Sequence, residues 1–418
     1  MDNNGFVTAI NIGTSKVSTL LGRKTPDGIL EILGQSSAPH TGMKKGFIVD
    51  PASIKKSVTK TVGLVEKQSG VSIRSAWVGV KGAHITSHQG RYPMHWAGEH
   101  GAITSEDLSR VVTELSSIDL GEDRKLIHIL PGGYVVDGQA GIANPEGMHT
   151  NEIEVDARFI TGDAVEIKQM AKLVEESGTQ VDGLVLEPLA TSEAILNQSD
   201  KENGSAVIDI GEGTTDLVVF DRGSITHTAS IPVGGYQFTN DICLTYGSSV
   251  TTSEKIKTTY GHTEPYVVKA DEDISLQVDG HSTPLEIPRR DICQLMRERA
   301  HELAQLVMLK LREARVDQIS NFTVILTGGG SNLPGLDQLM KRTMSVRVRS
   351  GMPDENLNLP DRLCSPDNSS VVGILLWASK QSQENLLPRN TKIELISALN
   401  GSGMVRKIFK QVKTIVAA

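Results

Sequence analysis

Ala206-Val207-Ile208-Asp209-Ile210-Gly211-Glu212-Gly213-Thr214-Thr215-Asp216 reads as an apolar, β-branched strand that breaks into a glycine turn. Leu217-Val218-Val219-Phe220 then returns, Asp221-Arg222-Gly223 turns again, and a third strand begins at Ile225. The same order opens the chain. A strand over residues 6–12 runs into Asn11-Ile12-Gly13-Thr14-Ser15-Lys16, and Val17-Ser18-Thr19-Leu20-Leu21-Gly22 returns. After Lys24-Thr25-Pro26-Asp27-Gly28 a third strand begins at Ile29. Strand, glycine loop, strand, turn, strand, twice over, predicts a duplicated α/β core. A third glycine run, Thr327-Gly328-Gly329-Gly330-Ser331, follows the apolar residues 322–326. Glycine lets backbone N–H groups approach phosphate oxygens, and Thr and Ser add hydroxyl donors. Two such hairpins facing each other would clamp a polyphosphate between two lobes. Two unrelated hairpins with glycine turns are the plainer alternative, but they would not account for the third run.

The chain has 418 residues, 38% hydrophobic and 22% charged, the balance of a water-soluble protein with two domains or one bilobed body. Its net charge of −8 disfavours bulk nucleic-acid binding. Cys243, Cys293 and Cys364 are far apart and lack metal spacing, which suits a reducing compartment without a disulfide framework. No signal peptide is expected at the polar N-terminus, and no run of about eighteen apolar residues predicts a membrane span.

Three segments occur in order: Asn11-Ile12-Gly13-Thr14-Ser15-Lys16-Val17, then Gly42-Met43-Lys44-Lys45-Gly46-Phe47-Ile48-Val49-Asp50, then Trp77-Val78-Gly79-Val80-Lys81-Gly82-Ala83-His84-Ile85. With the paired glycine loops they resemble the actin and DnaK-type ATPase superfamily. Within it they resemble FtsA, the bacterial division actin that tethers FtsZ filaments to the membrane. The resemblance runs from about residue 6 to the C-terminus. It implies an actin-like, duplicated ATPase fold of two lobes with inserted subdomains and a C-terminal amphipathic helix.

The pattern along the chain gives the domains. Residues 1–83 and 163–203 form the first lobe core, and 84–162 an inserted small subdomain. Residues 204–238 and 317–380 form the second lobe core, with 239–316 inserted. A linker over 381–403 precedes the helix 404–418. Asp50 is a good N-cap with Pro51 at the first helical position, and that helix should end near Gly70. A helix is expected near 105–117, flanked by strands over 125–130, 133–136 and 152–161. Further on come a helix 163–177, a strand 181–186, a helix 188–196, a strand-like middle 266–287, a long helix 289–314 and an apolar helix 371–378.

The resemblance assigns the cleft residues. Gly13, Thr14 and Ser15 would donate to the β- and γ-phosphates of ATP, with Lys16 as a possible point charge, and Gly211, Gly213, Thr214 and Thr215 would do so from the other lobe. Asp209 is the Mg²⁺ candidate, through water, because Mg²⁺ keeps much of its hydration shell. Gly328, Gly329 and Gly330 would pass close to the adenosine. Glu254 and Lys257 resemble ribose and adenine contacts, or are simply an exposed helix end. Asn11 stands where the superfamily usually has an acid. Glu212 replaces a usual glycine and is expected to point to solvent, since it would repel phosphate. Both departures imply slow hydrolysis at most. Glu187 resembles the residue that orients attacking water in related chaperones, or is a carboxylate at a helix start.

The tail is the second signal. Met404, Val405, Ile408, Phe409, Val412, Ile415 and Val416 fall on an arc of about 140° at helical spacing. Arg406, Lys407, Lys410 and Lys413 occupy the opposite arc with no acid among them. A basic amphipathic helix behind a polar linker reads as membrane-surface binding to anionic lipid. A helix docked on the body is the alternative. The partners implied by the resemblance are the C-terminal peptide of FtsZ, other division proteins and further copies of the chain in a filament, at the cytoplasmic face of the cell membrane at the division site. A pilus-assembly or other actin-superfamily ATP-binding protein would share the loops but not this tail. A chaperone would need a peptide-binding domain after residue 378, and a sugar kinase an aspartate motif that is not found.

Overall fold

A computed structural model describes residues 5–25, 29–94, 101–116, 118, 120–142, 144–278, 284–354, 357 and 359–384. Residues 1–378 form one unit; 379–418 form a second, described only through residue 384. The apolar and basic residues assigned to the tail helix, 404–416, lie outside the described residues.

The first lobe opens with an antiparallel meander of β1 (Phe6–Ile12), β2 (Lys16–Lys24) and β3 (Leu30–Pro39). A two-residue clip, β4 (Met43–Lys44) with β5 (Phe47–Ile48), leads into α1 (Pro51–Ser69) and β6 (Ser75–Val80). The Asp50 side chain accepts from the amides of Ala52 and Ser53, and Gly70 closes the helix at φ 69°, as the caps predict. Then comes an insertion: β7 (Thr86–Pro93), α2 (Ser105–Ser116), β8 (Arg124–Val136), β9 (Gln139–Ile142) and β10 (Ile153–Asp163). The lobe resumes with α3 (Ala164–Glu175), β11 (Gln180–Leu186) and α4 (Glu187–Ile195).

The second lobe follows α5 (Gln198–Asn203) with β12 (Ser205–Ile210), β13 (Thr215–Asp221) and β14 (Ser224–Ile231). Its own insertion holds α6 (Gly235–Tyr246), α7 (Val250–Tyr260) and the hairpin β15 (Asp273–Leu276) with β16 (Leu285–Pro288). Next come α8 (Arg289–Glu313), β17 (Thr323–Thr327), α9 (Leu336–Met344), β18 (Arg347–Ser350) and α10 (Ser369–Glu384).

The sheet orders are β11-β6-β1-β2-β3 and β14-β13-β12-β17-β18. In each, an antiparallel meander has its first strand flanked by two parallel strands. The duplication is therefore real at the level of topology. The insertions break it: one falls between β6 and α3, the other between β14 and α8. The first builds a separate sheet, β7-β10-β8-β9, with its own core around Val155, Phe159, Val111 and Leu115.

Strand alternation assigns the cores. Ala206, Ile208 and Ile210 pack with Ile292, Met296, Leu303 and Val307 of α8. Val207 faces the other way, into a core shared by both lobes with Ala190, Ile374 and Leu375 of α4 and α10. These helices touch backbone to backbone, since a Cβ on Gly373 would overlap the Ala190 carbonyl.

Three element boundaries differ from expectation. The strands read as 125–130 and 133–136 are one strand, because Pro131-Gly132-Gly133 forms a β-bulge opposite Asp156 and Ala157, not a turn. The strand-like middle, 266–287, is a 3₁₀ turn (Pro265–Val267) and the β15–β16 hairpin. The helix read as 371–378 runs on to Glu384, through residues assigned to the linker.

Candidate functional site

Both glycine hairpins close with the same hydrogen bond. Gly13 N–H donates to Lys16 O at 3.0 Å, and Gly211 N–H to Thr214 O at 2.9 Å. They meet tip to tip: a Cβ placed on Gly213 would be 2.7 Å from Thr14 Oγ1. The amides of Thr14, Ser15, Glu212 and Gly213 have no acceptor among the described residues. Four donors that the fold leaves free and gathers at one crossing form an anion cradle.

Each hairpin is braced from behind. The amides of Gly235 and Tyr236, at the start of α6, donate to Gly211 O and Glu212 O, both at 2.8 Å. His40 braces the first. Its backbone N–H donates to Ser15 O, and its Nδ1 accepts from the Gly42 amide at 3.0 Å. Nε2 therefore carries the proton and donates to Gly13 O at 2.9 Å. Burial pushes this imidazole below its usual pKa, which keeps it neutral.

The floor of the cleft is ionic. Lys81, just past β6, puts Nζ 3.1 Å from Glu187 Oε1 and 3.0 Å from Oε2. The Glu187 side chain is 1% exposed and that of Lys81 9%. Burial pushes the lysine pKa down, but Glu187, Asp209 and Asp216 outweigh it and hold the ammonium charged. Burial pushes Glu187 up against the pull of Lys81, with Asp209 and Asp216 adding to the rise. Burial likewise raises Asp216, whose Oδ2 accepts from Thr214 Oγ1 at 2.7 Å. Asp209 Oδ2 accepts from Ser370 Oγ of α10 at 2.7 Å and lies 3.5 Å from Thr191 Oγ1 of α4. Gly328, at φ 81°, packs on this carboxylate so closely that a Cβ would overlap Oδ1. Among the described residues no three acidic, His or Cys side chains converge tightly enough to hold an ion directly.

The fold thus brings Gly13, Thr14 and Ser15 against Gly211, Gly213 and Thr214, and sets Asp209, Glu187 and the Gly328–Gly330 run beside them. Other predicted residues have different partners. Lys16 Nζ pairs with Asp367 Oδ2 at 2.8 Å, across to the other lobe. The Thr215 hydroxyl donates to Val233 O at 2.8 Å. Lys257, in the last turn of α7, bonds Glu254 at 2.7 Å and Gly235 O at 3.1 Å. Glu212 does not point freely to solvent: it is half-buried, with Oε2 shielded and without a hydrogen-bond partner, because α6 covers the hairpin. Asn11 Oδ1 is also buried without a partner. His40 and Lys81 were not singled out in the sequence. Lys81 lies in a segment quoted above, but its partner is 106 positions away.

Two lobes of one topology, joined through packed helices over facing glycine hairpins, define an actin-like ATPase fold. Solved structures agree. One from a PilM-PilN type IV pilus biogenesis complex superposes with a TM-score of 0.63 at 18% identity, over 89% of this chain and 98% of that one. MreB5 of Spiroplasma citri bound to ADP gives 0.55 at 14% identity, over 93% and 100%. The model of the cell division protein FtsA matches residues 206–373, and that of the SHS2 domain inserted in FtsA matches 82–161. The cell division protein FtsA of Pseudomonas aeruginosa is 31% identical over 91% of each chain. The chain belongs to the FtsA family.

Proposed function

We propose that this division actin binds Mg·ATP between the two hairpins, polymerises, and anchors FtsZ filaments to the membrane through its C-terminal helix. The pilus-assembly alternative shares the fold alone, at 18% identity. The observation that carries the nucleotide site is the set of four free amides where the hairpins cross, with Thr14 Oγ1 and an ammonium beside them. That donor set suits a polyphosphate. Asp209 would hold Mg²⁺ through water, and the ion would neutralise phosphate charge. Glu254, Lys257 and Gly328–Gly330 would line the nucleoside end. Hydrolysis is slow in this scheme, because Asn11 brings no charge and Glu187 is held in an ion pair with Lys81. The domain divisions drawn from the sequence belong to the same proposal.

The test is calorimetry with Mg·ATP. Gly329 is the position to change: a side chain there meets only Asp367 Cβ, at 3.6 Å, so Gly329→Glu adds charge without a clash. It should weaken binding by about ten-fold or more, as should Asp209→Asn. Unchanged affinity in both would move the site elsewhere.

A further inference from the structure

Three lysines lie near the cleft. Lys16 is tied to Asp367 with its side chain 37% exposed, and Lys257 is held by Glu254 and Gly235 on α7. Lys81 differs. Its ammonium lies at the buried floor, 3.8 Å from where a Cβ on Gly211 would sit, so a first-lobe lysine reaches the second-lobe hairpin. An ammonium has three N–H donors. Glu187 Oε1 takes one of them, Oε2 lies at ion-pair distance without a hydrogen bond, and no other acceptor occurs among the described residues. A structural ion pair needs one carboxylate. This cation answers three, Glu187, Asp209 and Asp216, two of them from the opposite lobe. A spare N–H and four free amides meet where the hairpins cross.

We propose that Lys81 reads the terminal phosphate of the bound nucleotide and makes the cleft prefer a nucleoside triphosphate to a diphosphate. The inference rests on the nucleotide site proposed above. A polyphosphate enters with its nucleoside end outward, because only the far phosphate is unencumbered enough to reach an enclosed floor. The ammonium at that floor is therefore placed for the group that a diphosphate lacks. Point-charge recognition by lysine suits a phosphate whose orientation the hairpin amides already fix.

The test measures binding of Mg·ATP and Mg·ADP by calorimetry on the full chain. Wild type should favour Mg·ATP by about ten-fold or more. Lys81→Met alone strands a buried Glu187 and risks the fold. Lys81→Met/Glu187→Gln removes both charges together, with a thermal melt as the fold check. The double variant should hold Mg·ADP within about two-fold of wild type and lose the preference for Mg·ATP. Glu187→Gln alone, with Lys81 still charged, should keep the preference. Retention of the preference in the double variant overturns the assignment, and so does an equal loss for both nucleotides. Wild type binding both nucleotides equally would leave the site standing and remove this role for Lys81. Wild type binding neither would remove the site itself.

Discussion

His128 shows what one buried side chain contributes. It sits on β8, accepts the Leu186 amide through Nε2 at 2.9 Å, and meets the Trp377 ring edge-on at 5.2 Å. Burial pushes its pKa from 6.5 down to about 4. In the native state the ring stays neutral, while the unfolded chain takes up a proton below the usual value. The folded form then binds fewer protons, so stability is lost as pH falls through that window, by about 1.4 kcal/mol per pH unit. His128→Gln keeps an acceptor and removes the titration. Between about pH 7.5 and pH 5, urea unfolding should show wild type losing about 2 kcal/mol more than the variant. An equal loss in both would mean that the imidazole is solvated in the native protein. At this scale the glycine loops were legible, because a turn that must approach a ligand is written locally. His40, Lys81 and His128 were not. Their roles come from partners 27, 106 and 58 positions away, which no local pattern reports.

α8 carries two jobs on two faces. Ile292, Met296, Ala300, Leu303 and Val307 form its buried stripe. The outer face, with Gln294, Arg297, Glu298 and His301, lines a groove of about 440 Å³ away from the nucleotide hairpins. Tyr266, 81% exposed, has the Arg297 guanidinium 6.0 Å over its ring. An aromatic and a cation together suit the acidic–apolar C-terminal peptide expected of FtsZ. Arg299 is different, because its two bonds to Asp241, each 2.7 Å, tie α8 to α6. Arg297→Glu should therefore weaken capture of that peptide several-fold with the melting temperature unchanged, whereas Arg299→Glu should lower the melting temperature. Normal peptide binding by Arg297→Glu places the contact on another face. The sequence marked this helix to within a residue, as it did α1, because periodicity and caps are local signals. It missed the bulge at Gly133, since a Pro-Gly-Gly that bends a strand and one that turns it look alike until the partner strand is known.

For the whole molecule, the duplicated topology explains why two short loops revealed so much of the fold: each lies at the equivalent junction of its own five-stranded sheet. What the duplication did not dictate is where the insertions fall, nor how the chain meets a membrane. Among the described residues no helix is long and apolar enough to cross one. Attachment in the proposed function is assigned to residues 404–416, where four basic residues oppose seven apolar ones on a chain of net charge −8. Each cation adds about 1 kcal/mol near anionic lipid, and each large apolar side chain up to roughly 1.5–3 kcal/mol on full burial. Ordering the helix costs roughly 1–2 kcal/mol per residue. The terms nearly cancel, so a single copy should bind reversibly and a filament far more firmly, through many tails at once. Removing residues 401–418 should leave a nucleotide-binding body that no longer sediments with anionic liposomes. Phe409→Glu, a charge in the middle of the apolar arc, should act in the same direction. High salt should release wild type only in part, because screening removes the lipid attraction and leaves apolar burial intact. If the truncated chain still pellets with lipid, the attachment lies in the body and the tail is a docking helix.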